Sequence, residues 1–274
     1  MPETPDLSGR TAVVTGASSG IGRAIALALG RAGAHVFLAG RSQAPMDETR
    51  KEIREAGGQA DAVVLDVRDV EALRGLVGRA VQDTGRLDVM VNNAGLSYPG
   101  DIADADPEHW REMLEVNVLS LLVGSQAAIR AMRAAGNGGH LVNISSIAAQ
   151  RRDSGVYGAT KHAVNCISAS LRLELEDDDI RVVTIMPGAI ATNFARNFDP
   201  AFLKGLAATA GVPDFEPKAG EKLPDEVLDR IQPIMEKLLS RPEDVADAVL
   251  YAISLPHTVN IEELVVRPAK ALAL

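Results

Sequence analysis

Cysteine is nearly absent from this sequence. Cys166 is the only one among 274 residues, so an internal disulfide is excluded and nothing requires an oxidising compartment. The first residues are acidic and lack the apolar core of a secretory signal. We therefore expect a cytoplasmic protein, in which Cys166 is a buried structural thiol on a helix.

Long hydrophobic runs and positive charge are also scarce. No stretch of about 18 apolar residues occurs, so a membrane span is not expected. Acidic residues outnumber basic ones by 37 to 28, and the net charge of −9 argues against nucleic acids and anionic membranes as partners. The five histidines show no metal-ligand spacing, so no metal site is expected.

What the sequence does contain is a regular alternation of short β-rich runs and longer helical patterns. This alternation predicts right-handed βαβ units and a parallel sheet covered by helices on both faces. The helical patterns run over Ile21–Ala32, Asp47–Glu55, Pro107–Ala134 and Tyr157–Glu176, with a further one after the third strand. The predicted strands are Thr11–Thr15, His35–Ala39, Ala62–Leu65, Val89–Val91, Leu141–Ile144, Val182–Ile185 and Leu264–Val266.

One segment, from about Asn193 to Ser240, interrupts this pattern. It holds five prolines and is long for a loop in a compact domain. No linker divides the chain elsewhere, so we expect a single domain over residues 1–274. Within it, residues 193–240 are expected to form a lid over a larger or more apolar substrate.

A glycine-rich loop, Gly16-Ala17-Ser18-Ser19-Gly20-Ile21-Gly22, follows the first strand and opens a helix. Glycines at such a turn allow close approach of the backbone to a pyrophosphate, and the helix N-terminus offers free N–H groups. The spacing differs from the general dinucleotide fingerprint. A glycine-rich turn without a ligand is the alternative.

The end of the second strand, Ala39-Gly40-Arg41-Ser42, bears on the choice of cofactor. Sites for NAD usually place a carboxylate there, against the ribose 2′-hydroxyl, whereas an arginine can pair with a 2′-phosphate. Arg41 therefore favours NADP over NAD. The alternative is that Arg41 is a solvated surface residue and that selectivity is slight.

Tyr157 and Lys161 lie four residues apart at the start of a helical pattern, so they share a helix face. A cation near 4 Å contributes about 4 kcal/mol at an effective dielectric of about 20, enough to lower the pKa of a phenol by up to roughly 3 units. Such a tyrosine can exchange a proton with an alcohol or carbonyl oxygen. Pairs at this spacing are also common on ordinary helix surfaces, so the pair alone is a weak signal.

Three features together resemble the short-chain dehydrogenase/reductase family: the glycine pattern, Asn92-Asn93-Ala94-Gly95 after the fourth strand, and Tyr157-x-x-x-Lys161. The resemblance extends from about Gly9 to Pro268. It implies a single α/β domain with a Rossmann-type, doubly wound parallel sheet of about seven strands, an α/β/α sandwich that assembles as a homodimer or homotetramer. The implied activity is hydride transfer between NADP(H) and a small alcohol or carbonyl compound, such as a hydroxy acid, aldehyde or ketone.

The resemblance also implies roles for individual residues. Tyr157 is the acid/base, and Lys161 lowers its pKa and holds the nicotinamide ribose. Ser146 polarises the substrate oxygen, and Asn117 holds a water near the lysine. Besides Arg41, the implied cofactor contacts are Gly16, Ser18, Ser19, Gly20, Ile21, Gly22, Asp66, Val67, Asn93, Ala94, Gly95, Tyr157, Lys161, Pro187, Gly188, Ile190 and Thr192.

The serine departs from the family pattern. Ser146 precedes Tyr157 by eleven residues and Ser145 by twelve, which is closer than in relatives and indicates a short deletion in the loop from Gln150 to Gly155. Ser146 keeps the better motif match, with Ser145 as the alternative. Two other functions stay open at this point: a cofactor-binding regulator that has lost catalysis, and dehydratase or epimerase chemistry on the same fold.

Overall fold

A parallel sheet of seven strands forms the centre of the protein. The computed structural model describes residues 5–98, 100–192, 200–217, 224–256 and 258–269. The strand order is β3-β2-β1-β4-β5-β6-β7, and every neighbouring pair is parallel. The doubly wound α/β fold predicted from the sequence is confirmed. The strands are β1 Thr11–Thr15, β2 His35–Gly40, β3 Gln59–Val64, β4 Val89–Asn92, β5 Gly139–Ile144, β6 Ile180–Pro187 and β7 Glu263–Val266.

Helices cover both faces of the sheet, because the central strands are apolar on both sides. Along β1, Ala12 and Val14 pack into one hydrophobic core with α1, α2 and α9, whereas Val13 packs into the opposite core with α3, α5 and α6. The helices are α1 Gly20–Arg31, α2 Gln43–Glu55, α3 Val70–Thr84, α4 Pro107–Leu114, α5 Ser120–Ala135, α6 Gly155–Glu174, α7 Pro200–Thr209, α8 Asp225–Leu238 and α9 Pro242–Ser254.

A π-helical turn, Glu115–Leu119, joins α4 to α5 where the sequence predicts one uninterrupted helix. The backbone N–H of Ser120 reaches back to the carbonyl of Glu115. The Ser120 hydroxyl then donates a 2.6 Å hydrogen bond to the carbonyl of Val116, which an ordinary α-turn pairs with the Ser120 N–H. One extra residue in a single helical turn does not visibly disturb the hydrophobic periodicity. The sequence pattern therefore gives no indication of the π-helical turn.

The segment Pro107–Ala135 is also long and apolar enough to cross a membrane by length and composition alone, with a mean hydropathy of 1.2 in its most apolar window. Of that window, 56% is buried inside the fold. Val123, Ile129 and Met132 pack in the core on one face of the sheet. Packing of a core helix therefore accounts for its apolar character.

Two other sequence-based expectations differ from the structure. β3 begins at Gln59 rather than Ala62 and is half-buried, because it is the edge strand and has a neighbour on one side only. Cys166 is exposed on α6, so the prediction of a buried thiol is wrong. Its neighbours Val164 and Ile167 turn toward the protein, but position 166 lies on the solvent side of the helix.

The segment that follows β6 contains a small core of its own. α7 and α8 pack together through Leu203, Ala207, Ile231 and Met235. Residues 193–199 and 218–223 of the predicted lid lie outside the described residues. The lid role itself stays a prediction.

Candidate active site

A cleft of about 1200 Å³ opens at the carboxyl ends of the central strands. It lies where the strand order reverses between β1 and β4, which is the usual place for a ligand in an open α/β sheet. All the cofactor contacts expected from the sequence, and Ser146, line this cleft: Gly16, Ser18, Ser19, Gly20, Ile21, Gly22, Arg41, Asp66, Val67, Asn93, Ala94, Gly95, Ser146, Tyr157, Lys161, Pro187, Gly188, Ile190 and Thr192.

The glycine loop leaves no room for side chains. Gly16 has a φ of +67°, and a Cβ on it would lie 2.8 Å from Asn93 Nδ2. A Cβ on Gly22 would overlap both the Gly16 carbonyl oxygen and Asn93 Nδ2. α1 begins here, and its N-cap residue Ser19 forms no side-chain capping bond. The free N–H groups at the helix start therefore face the cleft, and this cradle fits the pyrophosphate of a dinucleotide.

Thr15 fastens this loop to the segment after β4. Its hydroxyl accepts hydrogen bonds from the backbone N–H groups of Asn93 and Ala94, at 3.0 and 3.1 Å. In return, Asn93 Nδ2 donates to the Thr15 carbonyl at 2.9 Å. The two backbone segments that flank the cleft are thus held at a fixed separation.

At the end of the cleft near β2 and β3, the charges are arranged around Asp66. Arg68 donates to both carboxylate oxygens of Asp66, with the shortest distance 2.7 Å. These hydrogen bonds lower the pKa of Asp66, and the charge of Arg41 contributes to the same shift. Arg41 itself is exposed and lies within electrostatic reach of this carboxylate.

A chain of polar contacts, which we call the Tyr98–Asp66 strap, runs along the cleft from this end. Arg68 also pairs with Glu112 of α4 at 3.1 Å, and Glu112 accepts a hydrogen bond from the hydroxyl of Tyr98. The Tyr98 ring stacks on His109 with centroids 4.0 Å apart. The sequence does not indicate a role for Arg68, Glu112 or Tyr98, because only the fold brings these three segments together.

Ser146 and Tyr157 meet at the other end of the cleft. Tyr157 lies in the first turn of α6, and a hydrogen bond joins its side chain to that of Ser146. Ser145 is turned away: its hydroxyl donates to Asn165 Oδ1 at 2.6 Å and is 3.3 Å from the carbonyl of Lys161. The structure therefore places Ser146, and not Ser145, beside the tyrosine.

Lys161 is buried behind this pair. Its Nζ donates to the Ile144 carbonyl at 2.9 Å and lies 5.8 Å from the centroid of the Tyr157 ring. Burial lowers the pKa of Lys161 to about 8. Burial also raises the pKa of Tyr157 to about 12, which the hydrogen bond from Ser146 only partly opposes. The expectation that the lysine makes the phenol acidic is not met within the chain alone, because desolvation outweighs a cation at this distance.

Asn117 lies in the π-helical turn and, unlike the other expected residues, does not line the cleft. Its side chain is buried and bridges two segments: Oδ1 accepts from the Leu96 N–H at 2.9 Å, and Nδ2 donates to the Leu96 carbonyl at 2.8 Å. Nδ2 also donates to the Thr160 hydroxyl at 3.0 Å, which in turn donates to the Tyr157 carbonyl at 2.7 Å. Thr160, a residue missed by the sequence analysis, thus connects Asn117 to the turn that carries the tyrosine.

The part of the cleft next to Ser146 is mixed in character. Ile102, Ile147 and Val156 provide apolar surface. Arg151, at the start of the loop predicted to be shortened, is paired with Asp153 at 2.9 Å. Within the described ranges, no group of three or more histidine, cysteine or acidic side chains is arranged to hold a metal ion.

Comparison with known proteins agrees with this geometry. Residues 10–201 match the family model described as short chain dehydrogenase. An uncharacterized oxidoreductase of Methylorubrum extorquens is 41% identical over 224 residues, which cover 81% of this chain and 88% of that protein.

Two solved structures are similar over nearly the whole chain. A metagenomic short-chain oxidoreductase in complex with NADP has a TM-score of 0.74 and 29% identity, covering 97% of this chain and 99% of that one. A 7α-hydroxysteroid dehydrogenase in complex with NADH and 7-oxo glycochenodeoxycholic acid has a TM-score of 0.77 and 27% identity, covering 95% and 94%.

Proposed function

This chain belongs to the short-chain dehydrogenase/reductase family, and on that basis we propose that it reduces a small carbonyl compound with NADPH, or oxidises the corresponding alcohol with NADP. The observation that carries the proposal is the meeting of Ser146 and Tyr157 in the same cleft as the uncapped start of α1. Proton-transfer groups and a dinucleotide cradle are thus within one continuous space.

Each residue has a task in this proposal. When bound, the cofactor supplies the hydride to the carbonyl carbon, or accepts it from the alcohol, and its oxidised ring adds a positive charge to the site. Tyr157 gives a proton to the carbonyl oxygen, so that hydride and proton together convert C=O to CH–OH. Ser146 donates a hydrogen bond to the same oxygen. Lys161 holds the ribose and re-protonates the phenol, and Asn117 keeps the tyrosine turn in place.

The pKa of Tyr157 bears on the direction of the reaction. A phenol whose pKa is raised to about 12 stays protonated at neutral pH and is ready to donate a proton. In the reductive direction, Tyr157 therefore acts first as an acid. Oxidation needs the phenolate, and the positive charge of the oxidised cofactor favours that form.

Two observations support NADP over NAD. The end of β2 carries Arg41 and no carboxylate, so a 2′-phosphate meets a cation rather than an anion there. The metagenomic relative was solved with NADP. The hydroxysteroid dehydrogenase was solved with NADH, so the fold alone does not decide the cofactor.

Self-association into homodimers or homotetramers belongs to the same proposal. Leu114, Leu122 and Leu173 expose large apolar side chains on α4, α5 and α6, which a second copy can cover. Light scattering after gel filtration tests this, and a monomer at micromolar concentration contradicts it.

The decisive experiment compares Tyr157→Phe with Tyr251→Phe, which removes an exposed hydroxyl on α9. Purified protein is given NADPH and a panel of aldehydes and ketones. We expect Tyr157→Phe to lose about 10²–10⁴-fold in turnover while its Kd for NADPH is unchanged. Tyr251→Phe retains full activity. Full turnover by Tyr157→Phe contradicts the mechanism, and absence of turnover by the wild-type protein with every carbonyl contradicts the function.

A further inference from the structure

Five cationic side chains line the cleft, and three of them have partners. Arg68 pairs with Asp66 and Glu112, Arg151 pairs with Asp153, and Lys161 donates to a backbone carbonyl. Two cations remain without an ion pair among the described residues, namely Arg41 and Arg267. Five cationic side chains stand against four carboxylates in this lining (Asp66, Asp101, Glu112 and Asp153), so the cleft has a small positive excess in a protein whose net charge is −9, and this excess suits anionic ligands.

These two arginines stand at different ends of the cleft. Arg41 follows β2, at the end of the sheet where the ribose phosphate is expected. Arg267 follows β7, which pairs with β6 at the opposite edge of the sheet. The N–H of Gly188 donates to the Val266 carbonyl at 2.7 Å, so the backbone of Arg267 is fixed beside Gly188.

The base of the Arg267 side chain packs beside Gly188, on the turn that follows β6. A Cβ on Gly188 would be 2.8 Å from Arg267 Cβ and 3.5 Å from Ile147 Cδ1. Ile147 directly follows Ser146, which is hydrogen-bonded to Tyr157. The backbone of Arg267 therefore lies beside Gly188 and near Ile147, in the same cleft as the serine and tyrosine.

The carboxylates nearest to Arg267 along the chain are engaged elsewhere. Glu262 and Glu263 lie 3.7 and 3.9 Å from the guanidinium of Arg172 on α6. Arg172 also donates to the Glu262 carbonyl at 3.1 Å, which holds this end of β7 toward α6. Arg267 is exposed and has no ion pair among the described residues, so its guanidinium is available to a ligand.

We propose that Arg267 is a binding site for a carboxylate on the substrate, so that the compound reduced or oxidised is an oxo acid or a hydroxy acid. This proposal rests on the proposed function and narrows its substrate class. A guanidinium binds a carboxylate through two parallel hydrogen bonds, which also fixes the orientation of the ligand. Arg151 and Lys161 line the same cleft but are already bonded to Asp153 and to the Ile144 carbonyl, so the single remaining charge of Arg267 matches that of a carboxylate better than the double charge of a phosphate ester.

The first experiment measures turnover with matched pairs of substrates: 3-oxo acids of increasing chain length and their methyl esters, which differ only in the charge. We expect wild-type protein to prefer the acid in kcat/KM, and Arg267→Gln to reduce that preference about tenfold or more. Arg267→Lys retains part of it. Arg133→Gln removes the same charge from α5, outside the cleft, where Arg133 pairs with Asp178, so the acid-to-ester ratio should stay within about twofold of the wild type.

The second experiment needs no turnover. Bound NADPH is titrated with a 3-hydroxy acid, which forms a complex that cannot react, and the Kd is read from the cofactor fluorescence. We expect Arg267→Gln to weaken this Kd about as much as it lowers the acid preference, with no change in the Kd of NADPH itself.

The outcomes separate this inference from the proposed function. Efficient reduction of esters with no preference for acids, or a preference that Arg267→Gln leaves intact, overturns the inference while the function stands. A weaker Kd for NADPH in Arg267→Gln also overturns it, because the arginine then binds the cofactor. Arg267-dependent binding of the acid without turnover of any substrate supports the carboxylate site and contradicts the proposed function.

Discussion

Asn117 donates a hydrogen bond of 3.0 Å to the hydroxyl of Thr160, and this contact ties the π-helical turn to the first turn of α6. Both residues are buried. Since Thr160 also donates to the Tyr157 carbonyl, the position of the tyrosine depends on an asparagine that does not itself line the cleft.

Thr160→Val tests this dependence, because valine keeps the shape of threonine and removes the hydroxyl. We expect it to lower the free energy of unfolding by about 1–3 kcal/mol, since Asn117 Nδ2 loses a buried partner, and to lower kcat more than it raises KM. Thr49→Val is the control, because among the described residues the hydroxyl of that buried threonine bonds the Pro45 carbonyl of its own helix and no other group. An effect on stability with kcat unchanged would mean that Thr160 has a structural role only.

Ser146→Ala and Ser145→Ala distinguish the two candidate serines. Ser146 is hydrogen-bonded to Tyr157, so its loss should reduce kcat by about 10²-fold or more with the fold intact. Ser145 bonds Asn165 and should affect mainly stability, by about 1 kcal/mol. Steady-state kinetics and urea unfolding of both variants provide the answer. Inactive Ser145→Ala together with active Ser146→Ala would reverse the assignment.

Arg41→Gln tests the choice of cofactor. If Arg41 meets the 2′-phosphate, the Kd of NADPH should rise about tenfold or more and that of NADH should not change. Arg50→Gln removes a charge from the neighbouring α2, where Arg50 pairs with Asp47, and should change neither Kd. Fluorescence titration of each protein with both cofactors makes the comparison. Equal loss of both affinities would show that Arg41 does not recognise the phosphate.

Lys161 should make stability depend on pH. Its pKa is about 8 in the folded chain and near the ordinary 10.5 in the unfolded chain, so between these values the unfolded state binds more protons. The free energy of unfolding therefore rises with pH across this window. Below pH 8 the buried lysine is charged, and there it destabilises the folded state most. At about 1.36 kcal/mol per unit, we expect the stability difference between Lys161→Met and wild type to shift by about 2 kcal/mol, in favour of wild type, from pH 8 to about 9.5.

Urea unfolding at both pH values measures this shift, and pairing each wild-type value with the variant cancels the titration of all other groups. Higher pH is avoided because Tyr157 acts in the opposite sense. Its pKa is raised to about 12, so the stability it contributes is lost as pH rises from 10 to 12. A difference that stays constant from pH 7 to 9.5 would show that the buried amine keeps an ordinary pKa.

Gly22→Ala tests the glycine cradle. The added methyl group overlaps the Gly16 carbonyl and Asn93, so we expect a loss of about 1–3 kcal/mol in stability and weaker binding of NADPH. Gly75→Ala on α3 is the control, because open space surrounds that position and alanine is the better helix former, by about 0.5–1 kcal/mol. An unchanged Kd for NADPH in Gly22→Ala would contradict close approach of the cofactor to this loop.

Most of the fold could be predicted from the sequence, because buried parallel strands are apolar on both faces and turns carry glycine. The predicted bounds of β1 match those observed, and β5 and β6 are recovered in their central residues. The start of β3 was not predicted, because this strand lies at an edge of the sheet. Its first residues alternate between polar and apolar and do not form a continuous apolar run. The motifs also predicted that the glycine loop, Ser146 and Tyr157 belong to one site, and all of them line the same cleft.

What the sequence could not supply is the pairing between distant segments. The Tyr98–Asp66 strap joins residues from three loops and helices, and no local pattern records it. The raised pKa of Tyr157 in the chain alone could not be anticipated either, because the desolvation of a side chain depends on everything packed around it. The pairing of Arg151, and the absence of an ion pair at Arg267 within the part of the chain that the structure describes, likewise become visible only in three dimensions.

The π-helical turn has a consequence for how this helix tolerates changes in length. A π-helical turn holds one extra residue while the helix on either side keeps its facing, so removal of one residue from Glu115–Leu119 would let the segment close into a regular α-helix with α4 and α5 still packed as before. The change would be confined to the turn itself, where the remaining side chains would be redistributed around the helix. Asn117 would then leave its position against Leu96 and Thr160. A shortened chain of this kind would fold and would lose the support beneath its tyrosine.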